Sequence, residues 1–269
     1  MTSLATPGST RLASSGRAAR FDRGLFLRPI AHRGLHSRRG GLIENSAPAF
    51  LAAIDRGYGI ECDLQAAKDG TPMVFHDDKL DRLFSTRGRL RDLMPAALAA
   101  LRYRGGATGI LRFAECLSLV AGRVPLLVEV KRNKQPPSHA FLEAIALEAK
   151  AYAGPLALMS FDRDVLAGLR RWVPEVPQGL IVGRRELAAR WWAAPRSLRK
   201  DRAIARLLAT LPEGIDFLAV DVRILRGARA FLTAKGLALP LFSWTIRTRR
   251  ERSAAARWAD APIFEGYEA

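Results

Sequence analysis

Two of the four histidines in this sequence end strand-like segments, where side chains can do acid–base chemistry. His32 ends one apolar run and His76 ends another. Imidazole titrates near neutral pH, so two histidines at one edge of a protein suit a general acid and a general base. We therefore predict that His32 and His76 are a catalytic pair, with the division of the two roles left open. The other two histidines, His36 and His139, are expected on the surface.

Three carboxylates alternate with apolar residues in two strand-like runs. The two-residue period of a strand puts Glu61 and Asp63 on one face of the run that begins at Ile60, and it puts Glu129 and Lys131 on one face of a later run. Carboxylates this close raise one another's pKa unless a cation lies between them. Oxygen ligands suit Mg²⁺ or Ca²⁺. The pattern predicts one divalent metal held by Glu61, Asp63 and Glu129, with a buried network of ion pairs to Lys131 and an arginine as the alternative.

The elements that must position these side chains alternate between β-rich and helical segments, which is typical of a parallel α/β architecture. Eight strands are predicted, at Pro29 to Arg33, Gly59 to Leu64, Leu126 to Lys131, Leu156 to Phe161, Gly179 to Val182, Phe217 to Asp221, Leu239 to Thr245 and Pro262 to Phe264. That number, in a chain of 269 residues, predicts a (β/α)₈ TIM barrel. Active sites of this fold lie at the carboxyl ends of the strands.

A ninth run, Pro72 to His76, follows the second strand after the turn Lys68-Asp69-Gly70. A connection this short can return antiparallel but cannot make a parallel crossover. We therefore predict a β-hairpin extension after the second strand, standing above the barrel and carrying His76.

Helical segments fill the connections between the predicted strands. They lie at Asn45 to Arg56, Asp92 to Leu101, Phe113 to Ala121, Ser138 to Tyr152, Asp162 to Trp172, Ala203 to Leu211, Gly227 to Ala234 and Arg249 to Trp258. The segment from Leu83 to Arg112 is expected to be an irregular excursion rather than a second domain.

Composition bounds the organisation and the partners. The first 24 residues are rich in small polar residues and arginine, which predicts a basic, flexible leader (1–24) before a barrel domain (25–269). The net charge of +17 indicates attraction to an anion, but no nucleic-acid-binding motif accompanies it, so nucleic acid is not an expected partner. No apolar run is long enough to predict a transmembrane segment. Cys62 and Cys116 are expected in the core of a cytoplasmic protein.

Six short motifs occur in order along the chain: His32-Arg33-Gly34, Glu44-Asn45, Glu61-x-Asp63, Asp69-Gly70, His76-Asp77 and Glu129-x-Lys131. Two later pairs follow them, Ser160-Phe161 and Trp244-Thr245. This series resembles the glycerophosphodiester phosphodiesterase family, and the resemblance covers roughly Ile30 to the C-terminus.

The resemblance implies a TIM barrel that hydrolyses glycerophosphodiesters to glycerol 3-phosphate and an alcohol with a divalent metal. It implies the roles already considered for the two histidines and the three carboxylates. It also implies that Arg33 and Lys131 bind the phosphate. Glu44 would be a carboxylate of the site that orients the metal ligands rather than binding the metal directly. Trp244, if it points inward, would pack against the glycerol carbons; simple filling of the core is the alternative.

The sequence departs from the family pattern at two places. Ile43 and Ser46 flank the Glu44-Asn45 pair where the family usually has proline and threonine. The ending Phe264-Glu265-Gly266-Tyr267 replaces the usual Thr-Asp-x-Pro. The first change is tolerable, whereas the second leaves the contacts of the final strand open.

A lysophospholipase D or a phospholipase C-like enzyme on the same barrel, acting on membrane lipids, is the alternative function. Trp191 and Trp192, followed by Arg196, Arg199 and Lys200, would suit weak peripheral contact with an anionic membrane. A barrel that only binds anions is a third possibility, against which the full set of histidines and carboxylates argues. The expected partner is a small phosphodiester substrate, and no oligomeric state is predicted.

Overall fold

One nine-stranded sheet forms the body of the computed structural model, which describes residues 21–37, 40–132, 136–183 and 199–269. Its strands are β1 (Ile30–His32), β2 (Gly59–Ala66), β3 (Pro72–Val74), β4 (Leu126–Val130), β5 (Leu156–Ser160), β6 (Gln178–Val182), β7 (Phe217–Asp221), β8 (Leu241–Ile246) and β9 (Ala261–Phe264). All but β3 pair in parallel with their neighbours, and β1 pairs with both β2 and β9, which closes the ring. The predicted eight-stranded TIM barrel is confirmed.

The remaining strand, β3, is the antiparallel arm of a hairpin on β2. Leu64 pairs with Val74 and Ala66 pairs with Pro72. Gly70 in the turn has a φ of +93°, a conformation that favours glycine. The hairpin extension is therefore confirmed, and it delivers His76 to the carboxyl end of the barrel.

Helices cover the outside of the ring. They are α1 (Arg23–Phe26), α2 (Ala47–Asp55), α3 (Pro95–Ala100), α4 (Phe113–Val120), α5 (His139–Ala151), α6 (Arg163–Trp172), α7 (Arg199–Leu208), α8 (Leu225–Ala234) and α9 (Arg249–Trp258). The single helix predicted from Asp92 to Leu101 is wrong in its first half, where a 3₁₀ turn (Leu90–Asp92) precedes α3. Pro95 explains the break, because proline disfavours helical backbone at the residue before it, and Met94 is extended.

Alternation along the strands divides the core into two parts. The residues that point inward include Ile30, Leu127, Met159, Ile181, Phe217, Ala219, Phe242 and Ile263, which fill the barrel from its amino end. The residues between them pack outward against the helices. Inward positions nearer the carboxyl end carry polar side chains as well, among them Glu61, Asp63 and Glu129.

The amino end of the barrel is closed by aromatic rings that precede β1. Phe21 stacks on Phe26 with centroids 4.8 Å apart and contacts Phe217 at 5.2 Å. The packed body of the molecule thus includes Phe21. Residues 1–20, which make up most of the predicted leader, lie outside the described residues.

The predicted excursion packs together with the hairpin and the residues after it in a small satellite cluster above the barrel. The buried members of this cluster are Ala67, Met73, Phe75, Leu80, Phe84, Leu90, Leu98, Tyr103 and Ile110. The rings of Phe84 and Tyr103 stack at 4.5 Å. The cluster includes Met73 of the hairpin arm and so packs directly against the hairpin.

Two further expectations concern buried cysteines and membrane spans. Cys62 and Cys116 are both free and buried. Within the described ranges, no helix is long and apolar enough to cross a membrane.

Candidate active site

The predicted site residues converge on a cavity of about 410 Å³ at the carboxyl end of the barrel. His32, Arg33, Glu61, His76, Glu129, Lys131 and Trp244 all line it. β1, β2, β4 and β8 each contribute at least one of these residues from the strand or from the position directly after it, and the hairpin contributes His76. This is the end of the barrel at which active sites of the fold occur.

The three carboxylates form one compact cluster. One oxygen from each of Glu61, Asp63 and Glu129 lies within 4.8 Å of the others. Pairing of β2 with β4 sets Asp63 directly beside Glu129, and the inward alternation of β2 places Glu61 one step below. Lys131 Nζ lies 2.9 Å from Asp63 Oδ1 and 2.8 Å from Glu129 Oε1. The cluster and the lysine thus form the predicted ion-pair network as well as a possible metal site.

The pKa values of the three carboxylates are shifted in different directions. Burial, Asp63 and Glu129 together raise the pKa of Glu61 well above its usual range. Burial alone would raise the pKa of Asp63, but Lys131 and Arg33 hold it well below its ordinary value. Burial raises the pKa of Glu129, even though Lys131 opposes the change. A cation among these oxygens would relieve the repulsion between the carboxylates that Lys131 does not cancel. The donor set therefore fits a hard divalent ion.

The loop after β1 ties the cluster to the barrel rim. The Arg33 backbone N–H donates to Glu61 Oε2 at 3.0 Å, and the Arg33 guanidinium lies 3.3 Å from Asp63 Oδ2. The turn requires Gly34, which has a φ of +78° and lies so close to α2 that a Cβ would meet Ala49 backbone atoms at 2.9 Å. Asn45 donates to Asp63 Oδ2 at 2.8 Å and so orients that carboxylate.

Glu44 binds two arginines. Arg33 Nη1 donates to its Oε1 at 2.6 Å, and Arg82 donates to both of its oxygens at 2.7 and 2.8 Å. Burial would raise the pKa of Glu44, but the hydrogen bonds from Arg82 and Arg33 lower it to about 2. Glu44 therefore holds Arg33 in place and lies outside the three-carboxylate cluster.

Each catalytic candidate histidine has its Nδ1 on a carboxylate. His32 Nδ1 lies 2.6 Å from Glu265 Oε2, and its Nε2 lies 3.9 Å from Glu61 Oε2. His76 Nδ1 lies 2.6 Å from Asp77 Oδ1, and Asp77 also accepts from Arg82. In both rings this leaves Nε2 for proton transfer. Burial lowers the pKa of His32, although the hydrogen bond to Glu265 opposes the shift.

The expectation that His36 is a surface residue is wrong. Its side chain is 16% exposed, and Nε2 lies 3.7 Å from Glu265 Oε2. The loop after β1 turns back over the end of β9, a path that spacing in the sequence does not reveal. By contrast, His139 is exposed at the start of α5.

Glu265 and Asp221 are site residues that motif matching missed. Both continue the inward two-residue period of a strand, Ala261-x-Ile263-x-Glu265 in β9 and its extension, and Phe217-x-Ala219-x-Asp221 in β7. That period was the signal that could have found them. Asp221 is buried and accepts two bonds from Arg223 Nε, at 2.9 and 3.1 Å.

Trp244 points inward, which favours the first of its two predicted roles. Its ring lies edge-on to Phe161 with centroids 5.6 Å apart, and Nε1 donates to the Ala219 carbonyl at 3.0 Å. The two rings form an apolar wall of the cavity that Glu61 and Glu129 also line.

Fold and site together define a TIM barrel with an acidic cluster and two carboxylate-bound histidines at its mouth. The model of the glycerophosphoryl diester phosphodiesterase family matches residues 32–264, and this chain belongs to that family. The match spans the whole barrel from the last residue of β1 to the last residue of β9.

Individual relatives agree with the family assignment. The chain is 30% identical over 149 residues to a glycerophosphodiester phosphodiesterase from Bacillus altitudinis, and the aligned region covers 48% of this chain. The chain spans less than two thirds of the curated relatives it matches, for example 60% of that protein.

Solved structures share the fold. A phosphodiesterase from Oleispira antarctica, in complex with the product sn-glycerol-3-phosphate, superposes with a TM-score of 0.69 at 20% identity, covering 88% of this chain and 92% of that one. A glycerophosphodiester phosphodiesterase from Thermotoga maritima gives a TM-score of 0.63 at 23% identity, covering 88% and 93%.

Proposed function

We propose that this chain hydrolyses glycerophosphodiesters to glycerol 3-phosphate and an alcohol. The observation that carries the proposal is the convergence of His32 and His76, each with its Nδ1 on a carboxylate, on one cavity beside the three-carboxylate cluster. Membership of the family and the product bound in the Oleispira relative support this reaction class.

Glu61, Asp63 and Glu129 would hold one divalent cation, either Mg²⁺ or Ca²⁺. Their clustered oxygens and the raised pKa of Glu61 support this assignment. When bound, the cation would neutralise charge that builds on a non-bridging phosphate oxygen. Lys131 and Arg33 already border the cluster, so they would bind the remaining phosphate oxygens.

The two histidines transfer the protons. One Nε2 removes a proton from the attacking hydroxyl, and the other Nε2 gives a proton to the leaving alkoxide. The attacker is either water or the neighbouring glycerol hydroxyl, which would give a cyclic phosphate for water to open. The apolar wall of Phe161 and Trp244 would pack against the glycerol carbons, and a cavity of about 410 Å³ is of the size that small-molecule sites have.

Release of glycerol 3-phosphate from glycerophosphocholine, with and without added Mg²⁺ or Ca²⁺, tests the proposal. We expect product only with metal, loss of activity in excess chelator, and loss in His32→Ala. The matched control is His139→Ala, which removes an exposed histidine that does not line the cavity and should keep full activity. An inactive wild-type enzyme across both metals would contradict the proposed reaction.

The residues that motivate the lipid-acting alternative lie outside the described part of the chain: Trp191, Trp192 and Arg196 entirely, and Arg199 and Lys200 by their side chains.

A further inference from the structure

The carboxylate after the last strand, Glu265, is fixed against the ring of His32. We propose that Glu265 is a positioning residue for the hydrolysis proposed above, because it decides which nitrogen of His32 carries the proton. The inference rests on the proposed function for its kinetic test, but it also has a test that needs no activity.

The hydrogen bond itself sets the tautomer. Glu265 Oε2 can only accept when ionised, so at 2.6 Å it takes the proton on His32 Nδ1. The neutral ring then has its lone pair on Nε2, the nitrogen that lies 3.9 Å from Glu61 Oε2 beside the proposed metal site. Without Glu265, no carboxylate within the described ranges contacts Nδ1.

Glu265 is held rigidly enough for this role. Arg247 Nε donates to Oε1 at 2.6 Å, while His36 Nε2 lies 3.7 Å from Oε2. The Glu265 backbone N–H donates to the Ile246 carbonyl at 3.1 Å, which fixes the main chain beside β8. With Arg247 on one oxygen and His32 on the other, the carboxylate cannot rotate freely.

This arrangement predicts what an isosteric amide would do. In Glu265→Gln the amide has one carbonyl oxygen, and Arg247 is a donor that requires it. Because Arg247 is a charged donor, we expect the carbonyl to stay on Arg247 and the NH₂ group to face His32 Nδ1, where only a lone pair can receive it. The ring is therefore driven to the opposite tautomer, with its proton on Nε2 and no lone pair facing the site.

We expect Glu265→Gln to lower kcat by on the order of 10²-fold or more, with KM changed by less than about 3-fold. Glu265→Asp keeps a carboxylate and should recover at least about 10-fold of the loss. The matched control is Glu268→Gln, which removes an exposed acid that is paired with Arg56, and it should be as active as the wild type. A loss in Glu265→Gln that appears mainly in KM, or no recovery in Glu265→Asp, would contradict a positioning role.

A double variant distinguishes an effect of Glu265 on His32 from a general effect of Glu265 on the stability of the fold. If Glu265 acts through His32, the double variant His32→Ala, Glu265→Gln should be no slower than His32→Ala alone. Additive losses would overturn the proposal.

Long-range ¹H–¹⁵N correlation of the imidazole ring gives the result that needs no catalysis. We expect the proton of His32 on Nδ1 in the wild type and on Nε2 in Glu265→Gln, with His139 unchanged as an internal control. The same tautomer in both proteins would refute the positioning role whether or not the chain hydrolyses glycerophosphodiesters. The expected tautomers in an inactive wild type would instead refute only the proposed function.

Discussion

Glu148 on α5 offers a quantitative test of the electrostatics. One of its carboxylate oxygens, Oε2, is buried without a hydrogen-bond partner among the described residues. Burial raises the pKa of Glu148 from 4.5 to about 7. The folded protein therefore keeps this proton over a pH range in which the unfolded chain has lost it, so ionisation of Glu148 destabilises the fold as the pH rises.

The size of the effect follows from the two pKa values. Well below pH 4.5, Glu148 is protonated in both the folded and the unfolded state and does not change the free energy of unfolding. Above pH 7, the full difference between the two pKa values lowers the free energy of unfolding. By linkage, Glu148 lowers the free energy of unfolding by about 3 kcal/mol at pH 8 and by about 1 kcal/mol at pH 5. Because the side chain is partly open to solvent, screening reduces these figures to roughly half. Glutamine has the shape of the protonated acid and should remove the penalty.

Urea unfolding of Glu148→Gln at pH 5 and pH 8 measures this directly. We expect the free energy of unfolding to rise by about 1.5 kcal/mol at pH 8 and by less than about 0.5 kcal/mol at pH 5. Glu143→Gln, on an exposed position of the same helix, is the control and should change neither value. An equal gain at both pH values would refute the reasoning, since only a pH-dependent gain reports the shifted pKa.

Three further predictions concern the active site. Glu61→Gln should weaken binding of Mg²⁺ or Ca²⁺ in calorimetry, and unchanged affinity would exclude this residue as a ligand. His32→Ala and His76→Ala should each lower kcat by roughly 10²-fold or more, and a nitrophenyl leaving group, which needs no proton, should rescue only the variant that lacks the acid. Equal losses on both substrate types would show that the roles are not divided. Since the net charge is +17, kcat/KM for a diester with one net negative charge, such as glycerophosphoinositol, should fall as salt screens the field to a reach of about 8 Å. Faster turnover of lysophosphatidylcholine in anionic vesicles would instead favour the lipid-acting alternative.

The parts of the site that lie on strands could be predicted from sequence, because backbone geometry imposes the two-residue period. Glu61 and Asp63 share one face of β2, and the parallel pairing of β2 with β4 then sets Glu129 beside Asp63. The hairpin followed from the length of one turn. In these cases a local rule determines the position of the side chain.

The contacts between loops could not be predicted in the same way. His36 reaches Glu265 across 229 positions of sequence, and only the closure of β1 against β9 brings them together. Arg82 joins Glu44 to Asp77 because the excursion folds back over the rim, a path that depends on its own satellite packing. Glu265 was the exception, since its place in the inward period of β9 was readable but its partner was not.

The two catalytic candidates are carried by separately packed parts of the molecule. His32 stands on the barrel, whereas His76 stands on the hairpin that the satellite cluster supports. Substitutions within that cluster can thus alter the height and tilt of one proton donor or acceptor while the carboxylate cluster stays unchanged. Residues 83–112 contribute no side chain to the three-carboxylate cluster, so a library confined to them would vary the support of His76 and leave Glu61, Asp63 and Glu129 in place.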